Sequence, residues 1–146
     1  MPNRNPANLP AVIERLRRAW NAHDMDALAA CLHTDYESIH PLHPERNLQG
    51  RESAARSWAA TFEAVPDVEA ELLRWAVAED GVWTEWWWSG SHVNGNSFNA
   101  GGVMVFRLAQ DRITGARVYT EIVPTSGPDW GAVLESAVSN VAAASA

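Results

Sequence analysis

Val82-Trp83-Thr84-Glu85-Trp86-Trp87-Trp88-Ser89-Gly90-Ser91-His92, residues 82–92, holds four of the chain's eight tryptophans within six positions. The run is rich in aromatic residues and is bounded by Asp80-Gly81 and by Asn94-Gly95-Asn96, so it reads as a β-strand between two turns. Side chains alternate across a strand. Val82, Thr84, Trp86, Trp88, Gly90 and His92 therefore share one face, and Trp83, Glu85, Trp87, Ser89 and Ser91 share the other. Burying one large aromatic side chain is worth roughly 1.5–3 kcal/mol, so both faces should be covered at least in part. Parity does not say which face lies inward, because a one-residue error exchanges every assignment.

The chain on either side supplies the cover. Upstream, Val12, Ile13, Leu16, Ala19 and Trp20 recur at helical spacing from Ala11 and end at Asn21-Ala22-His23. Asp24 is suited to cap a short second helix with Leu28, Cys31 and Leu32 on its apolar side. Tyr36 to His40 reads as a short strand stopped by Pro41, and Pro41 to Glu45 as a loop. A third helix follows Gly50, with Ala54, Ala55, Trp58, Ala59 and Phe62, and ends before Pro66. Downstream, Val68–Ala78, Val82–His92, Ser97–Leu108 and Ile113–Val123 read as four successive strands, the third bulged at Gly101-Gly102. Helices followed by a run of antiparallel strands predict an α+β domain. Residues 1–10 read as a frayed arm, 11–127 as the domain, and 128–146 as a helix or tail, capped by Asp129 and packed on the same domain.

With helices over one sheet face, little chain remains for the other. The economical cover is a second copy, which predicts a homodimer through the outer sheet face. The alternative is that some tryptophans lie flat under loops or under the C-terminal helix.

Composition narrows the function. The chain has 146 residues, a net charge of −7, and eleven arginines as its entire basic complement. Without lysine, a side-chain Schiff base and a Walker-type phosphate loop are both excluded. The acidic balance argues against nucleic acid as a partner. Cys31 is the single cysteine, so an internal disulfide or a multi-cysteine metal site is excluded. His40, His43 and Glu45 lie close in sequence but lack helical ligand spacing and read as a polar loop, so no metal and no cofactor are expected. No run is long and apolar enough to span a membrane, and no secretory signal is evident, which makes the cytoplasm the expected location.

Four motifs together resemble one family. Trp20 to Leu28 is similar to its first helix junction. Tyr36 to Pro41 followed by Gly50-Arg51-Glu52 is similar to its pocket-edge strand and third helix. Trp88 to Gly95 resembles its hairpin. Val105-Phe106-Arg107, Asp111-Arg112-Ile113 and Arg117 to Glu121 resemble its closing strands. The family is the nuclear-transport-factor-2-like superfamily, with its SnoaL-like and ketosteroid-isomerase-like members. The resemblance covers residues 10 to 123. It implies a cone-shaped α+β barrel of the NTF2-like or cystatin-like kind, a strongly curved antiparallel sheet wrapped around three N-terminal helices. It also implies a small-molecule pocket.

The resemblance puts His40 where steroid isomerase relatives carry a proton-shuttling aspartate before a proline. Imidazole can exchange a proton near neutral pH without extreme tuning. The plain alternative is a histidine hydrogen-bonded at a strand end. Glu121, with Tyr119 on the same strand face, stands where polyketide cyclase relatives carry a catalytic aspartate. Its plain alternative is an ion pair with Arg117 or another arginine. Tyr36 has the parity of His40 and could donate to a substrate oxygen. Trp86, Trp88 and His92, with Trp58, Leu16 and Trp20, form the implied substrate wall; the opposite parity would offer Glu85 and Trp87. Leu16 takes the place of the isomerase's oxyanion tyrosine and cannot donate. The resemblance thus implies cofactor-independent acid–base chemistry on a small apolar molecule (isomerisation, cyclisation or dehydration), or a non-catalytic ligand carrier or dimeric adaptor.

Overall fold

The computed structural model describes residues 8–124 and 126–145, except the side chains of 140–145. The expected arm at residues 1–10 lies outside this range apart from its last three positions. The elements run α1 (Ala11–Ala22), α2 (Met25–Cys31), β1 (Leu32–Ile39), β2 (Leu48–Gln49), α3 (Arg51–Ala64), β3 (Glu69–Ala78), β4 (Gly81–Ser91), β5 (Ser97–Ala109), β6 (Arg112–Ile122) and α4 (Trp130–Ser145). A short 3-10 turn, Pro44–Arg46, sits between β1 and β2. This is an α+β fold, with one six-stranded sheet in the order β2-β1-β6-β5-β4-β3. The sheet is curved and not closed.

The four-strand meander is antiparallel, as its turn signals require. β1 joins β6 in parallel, and β2 adds an antiparallel edge to β1. β2 was not anticipated; with two residues it is too short to show a period. β1 begins four residues earlier than the sequence reading placed it. The first hairpin turns at Glu79-Asp80, because Ala78 pairs directly with Gly81. At the last hairpin both Gln110 and Asp111 have positive φ, which suits a tight two-residue connection.

The expected bulge at Gly101-Gly102 is not there. Pairing with β4 runs unbroken from Val82 to Ser91, and β5 shifts register against β6 only between Arg107 and Leu108. The two glycines serve close approach instead. A Cβ at Gly101 would meet the Trp87 ring at 2.6 Å, so that indole lies over the glycine. Gly102 has φ +140 and faces the Tyr119 carbonyl, which leaves no room for a side chain.

Parity on β4 is resolved by burial. Val82, Thr84, Trp86 and Trp88 are buried, whereas Trp83 is 47 % exposed. Trp86 and Trp88 pack against Trp20 of α1 at ring-centroid distances of 4.7 and 5.7 Å. Trp58 of α3 closes the group, 4.8 Å from Trp20 and 6.0 Å from Trp88. The cluster thus clamps two helices to the sheet. The helix-junction motif adds polar pins. Asn21 exchanges two hydrogen bonds with the backbone of Ala70, and the His23 ring reaches the Val68 carbonyl at 2.9 Å. Asp24 caps α2 by accepting from the Ala27 N–H.

α4 departs from expectation. Asp129 does cap it, accepting from the Ala132 N–H. Yet Trp130, Val133, Leu134 and Val138 are all exposed rather than packed on the domain. An alanine-rich segment offers few large groups to hold it down. No helix among the described residues is long and apolar enough to cross a membrane.

Trp86 is completely buried, and its indole N–H donates to Thr84 Oγ1 at 2.7 Å; that hydroxyl in turn donates to the Met104 carbonyl at 2.7 Å. Thr84→Val keeps the side-chain shape and orphans the indole. It should lower unfolding free energy by about 1–3 kcal/mol in urea titration, while Thr84→Ser should stay near the parent. Equal midpoints for Thr84→Val and the parent would refute this role for the hydroxyl.

Candidate functional site

β1, α3 and the concave side of β4–β6 enclose a cavity of about 470 Å³. Its position follows from the tryptophan clamp. Trp20 and Trp86 fill the space between helices and sheet, and the hollow opens beyond Trp58 and Trp88. Alternation on β1 sends Tyr36, Ser38 and His40 into it together. Val118, Thr120 and Ile122 contribute the β6 wall. Among the described residues, no aspartate, glutamate, lysine or arginine lines it.

Of the residues nominated from sequence, His40, Tyr36, Trp58, Trp88 and His92 line this cavity. Trp86, Trp20 and Leu16 do not; they are 0–2 % exposed in the core behind it. Tyr119 and Glu121 are absent from it as well, because they alternate with the wall residues Val118, Thr120 and Ile122 and so take the opposite sheet face. Tyr119 accepts from Arg117 Nε at 3.2 Å. Glu121 meets His43 and Arg46 of the β1–β2 loop, so it lies in an ion pair, with Arg46 in place of Arg117. The sequence reading did not nominate Ser38, Phe98, Met104 or Thr120, which also line the space. Ser38 was available two positions before His40 by strand parity. Thr120 was available the same way once β6 was counted from the other face.

His40 ends the pocket side of β1. Its N–H donates to Asn47 Oδ1 at 2.6 Å, so the backbone is held while the ring stays at the cavity wall. Burial is the largest influence on the imidazole and pushes its pKa below the ordinary value; Arg46 and His43 push the same way, and Glu121 and Glu45 oppose them. The ring is therefore neutral at neutral pH and free to accept a proton. Tyr36 is 5 % exposed, and burial raises its hydroxyl to about 12 despite the nearby Ser38. It stays protonated and can donate. Among the described residues, Trp20 Nε1 and Trp88 Nε1 are buried without a hydrogen-bond partner inside the tryptophan cluster, while Ser38 lies beside the Tyr36 hydroxyl and lowers its pKa against the effect of burial.

His92 stands at the β4 end of the wall, with its ring edge-on to Phe98 at 5.5 Å. The hairpin motif around it has a steric basis. A Cβ on Gly90 would meet Val65 and Asp67 at 2.7 and 2.8 Å, so glycine lets the chain after α3 press onto β4. Asp67 then accepts from the Ser91 N–H at 2.7 Å. Among the described residues no His, Cys, Asp or Glu group is arranged to hold a metal ion.

Solved structures share this architecture. A protein of ketosteroid-isomerase-like fold from Catenulispora acidiphila, solved with trimethylamine, aligns with a TM-score of 0.67 at 19 % identity over 77 % of this chain and 86 % of its own. A protein from Jannaschia sp. CCS1 bearing the name SnoaL-like polyketide cyclase aligns at 0.65 and 23 %, over 75 % and 83 %. AclR from Streptomyces galilaeus, which bears the name of a hydroxylase, aligns at 0.67 and 16 % over 92 % of each chain. At these identities the likeness is one of fold. No curated protein matches the chain. The family model for the SnoaL-like domain matches residues 13–116, well over half of the chain. The protein therefore belongs to the SnoaL-like domain family within the NTF2-like fold.

Proposed function

We propose that this protein binds a small, uncharged, mostly apolar organic molecule in the cone cavity and moves a proton on it without a cofactor. The observation that carries this reading is His40, an imidazole with lowered pKa at the wall of a cavity that, among the described residues, has no formally charged lining residue. A charged ligand would surrender its hydration there without a counter-charge, whereas an apolar one gains from Trp58, Trp88 and Phe98. In this reading His40 takes the proton as general base. The protonated Tyr36 hydroxyl donates to oxygen on which charge develops. Isomerisation, cyclisation and dehydration are the matching reaction classes. The family and the polyketide cyclase name of one structural neighbour support them. The cytoplasm is the proposed setting.

A second reading is a ligand carrier without catalysis. It draws on one observation: among the described residues, the His40 ring receives no hydrogen bond from another cavity side chain, and the nominated carboxylate, Glu121, lies on the other sheet face.

We also infer a homodimer through the outer face of β3–β6. Support comes from Trp83, which alternation places on that face and which is 47 % exposed. Arg74 pairs with Glu85 at 2.8 Å beside it. Trp87 is already partly covered by lying on Gly101, so Trp83 is the anchor with most to gain from a partner.

Thermal-shift screening with neutral aromatic and polyketide-like compounds should find a ligand that stabilises the protein by about 2.7 kcal/mol at a hundred times its dissociation constant. A screen in which only charged compounds shift the melting temperature would sink the neutral-ligand reading. With a turned-over ligand, His40→Ala should lower kcat by about 10²–10⁴-fold with unchanged folding. Retention of full turnover would remove His40 from the mechanism and leave the carrier. Because the neutral imidazole is the active form and its pKa is lowered, kcat/KM should fall on acidification with a midpoint below 6.5 and be level around neutrality; a midpoint above 6.5 contradicts the assignment. In sedimentation, the chain of 16.0 kDa should run at twice its mass, and Trp83→Glu should run as a monomer. A parent monomer at micromolar concentration would overturn the dimer.

A further inference from the structure

Glu121 has a use that does not require it to touch a ligand. Its Oε1 lies 2.5 Å from His43 Nε2 and 3.1 Å from Arg46 Nη1. On its other side the His43 ring faces Glu45, with Nδ1 3.3 Å from Oε1. His43 and Arg46 belong to the segment Pro41–Asn47, which is tightly knit. The His43 N–H donates to the His40 carbonyl at 3.0 Å, the Arg46 N–H to the His43 carbonyl at 2.9 Å, and the Asn47 N–H to the Pro44 carbonyl at 3.1 Å. Asn47 then returns to His40, its Oδ1 accepting from the His40 N–H at 2.6 Å. The segment is one small block with His40 as its first member. Glu121 grips that block from β6 through two side chains.

We propose that Glu121 is a positioning residue for His40, a carboxylate behind the sheet that anchors the loop Pro41–Asn47 and so sets where the imidazole stands at the cavity wall. This rests on the reading that His40 works in the cavity, but its test does not. Each ion pair of the anchor is part-exposed and individually weak. The effect comes from two partners converging on one carboxylate in a loop that is already internally bonded. The charged and titratable groups that act on His40 are those of this cluster: Arg46 and His43 disfavour its protonation, and Glu121 and Glu45 favour it.

The variants therefore have opposite signatures. Glu121→Gln keeps the side-chain size but removes the charge. Amide hydrogen exchange across residues 41–47 should speed up by about three- to tenfold while β4 and β5 keep the parent rates. The His40 titration midpoint, followed by NMR and identified by its loss in His40→Asn, should move down because a favouring charge has gone. Arg46→Gln should loosen the same loop yet move the His40 midpoint up, and Glu121→Asp should restore part of the protection. Should Glu121→Gln fail to fold, Arg46→Gln and His43→Gln test the anchor from its other side. Parent-like exchange in 41–47 together with a parent-like His40 midpoint in Glu121→Gln would overturn the proposal. Loss of loop protection in Glu121→Gln, combined with full turnover in His40→Ala, would uphold the anchor and discard the catalytic role of His40 instead.

Discussion

The packing of four indoles, Trp20, Trp58, Trp86 and Trp88, is what the remaining architecture hangs on. Their centroids lie 4.7–6.0 Å apart, and they join α1, α3 and β4, three elements far apart in sequence. Edge-on and tilted aromatic pairs add about 0.5–1.5 kcal/mol each beyond the area they bury. Rigid, bulky rings also set a spacing. With Trp86 and Trp20 wedged between sheet and helix, α3 cannot settle onto the sheet along its whole length. The space left beyond Trp58 and Trp88 is the cavity. The hollow is thus a consequence of where large side chains stop, and the small residues on α3, such as Ala54 and Ala60 in its wall, keep it open.

Opening a cavity costs lost dispersion contacts. A domain selected only for stability would fill the volume with larger aliphatic groups. Retained volume beside an imidazole at its wall is the feature that the proposed ligand would explain. The glycines at 90 and 102 belong to the same economy of space. Each lets backbone approach backbone or side chain where a methyl group would collide: Gly90 brings β4 against the chain after α3, and Gly102 brings β5 against the β6 backbone at Tyr119.

Much of this was legible in the sequence for identifiable reasons. Alternation across Val82–His92 separated Trp86 and Trp88 from Trp83 and Trp87 because strand period is a local property. The cap at the helix junction was legible because Asp24 needs only Ala27, three residues on, whereas the pins from Asn21 to Ala70 and from His23 to Val68 are long-range and left no local signal. The site was half legible. His40 followed from the resemblance, Tyr36 from sharing its strand parity, and Trp58 from its helix face; Ser38, of the same parity, was not nominated. Glu121 and Tyr119 do not line the cavity, since the resemblance supplied their role and one residue of register decides which face of β6 they occupy. Parity left open whether Trp86 faces inward, and the depth of Trp20, Trp86 and Leu16 behind the cavity depends on three-dimensional packing, which carries no sequence period. The parallel pairing of β1 with β6, and the two-residue β2, are likewise long-range facts.

The division of labour on β6 follows from electrostatics. Val118, Thr120 and Ile122 give the cavity a neutral wall, while Arg117, Tyr119 and Glu121 stand behind it among charged partners. Had the carboxylate faced inward, an apolar enclosure would have penalised its ionised form and an uncharged ligand would have had to displace its hydration. From behind the sheet, the same carboxylate remains solvated on one side, pairs with His43 and Arg46 on the other, and still reaches His40 through its field. Placing charge at one remove lets the cavity stay greasy while the imidazole at its wall is held in position, and a strand that shows alternate faces to ligand and loop is the simplest scaffold that can do both.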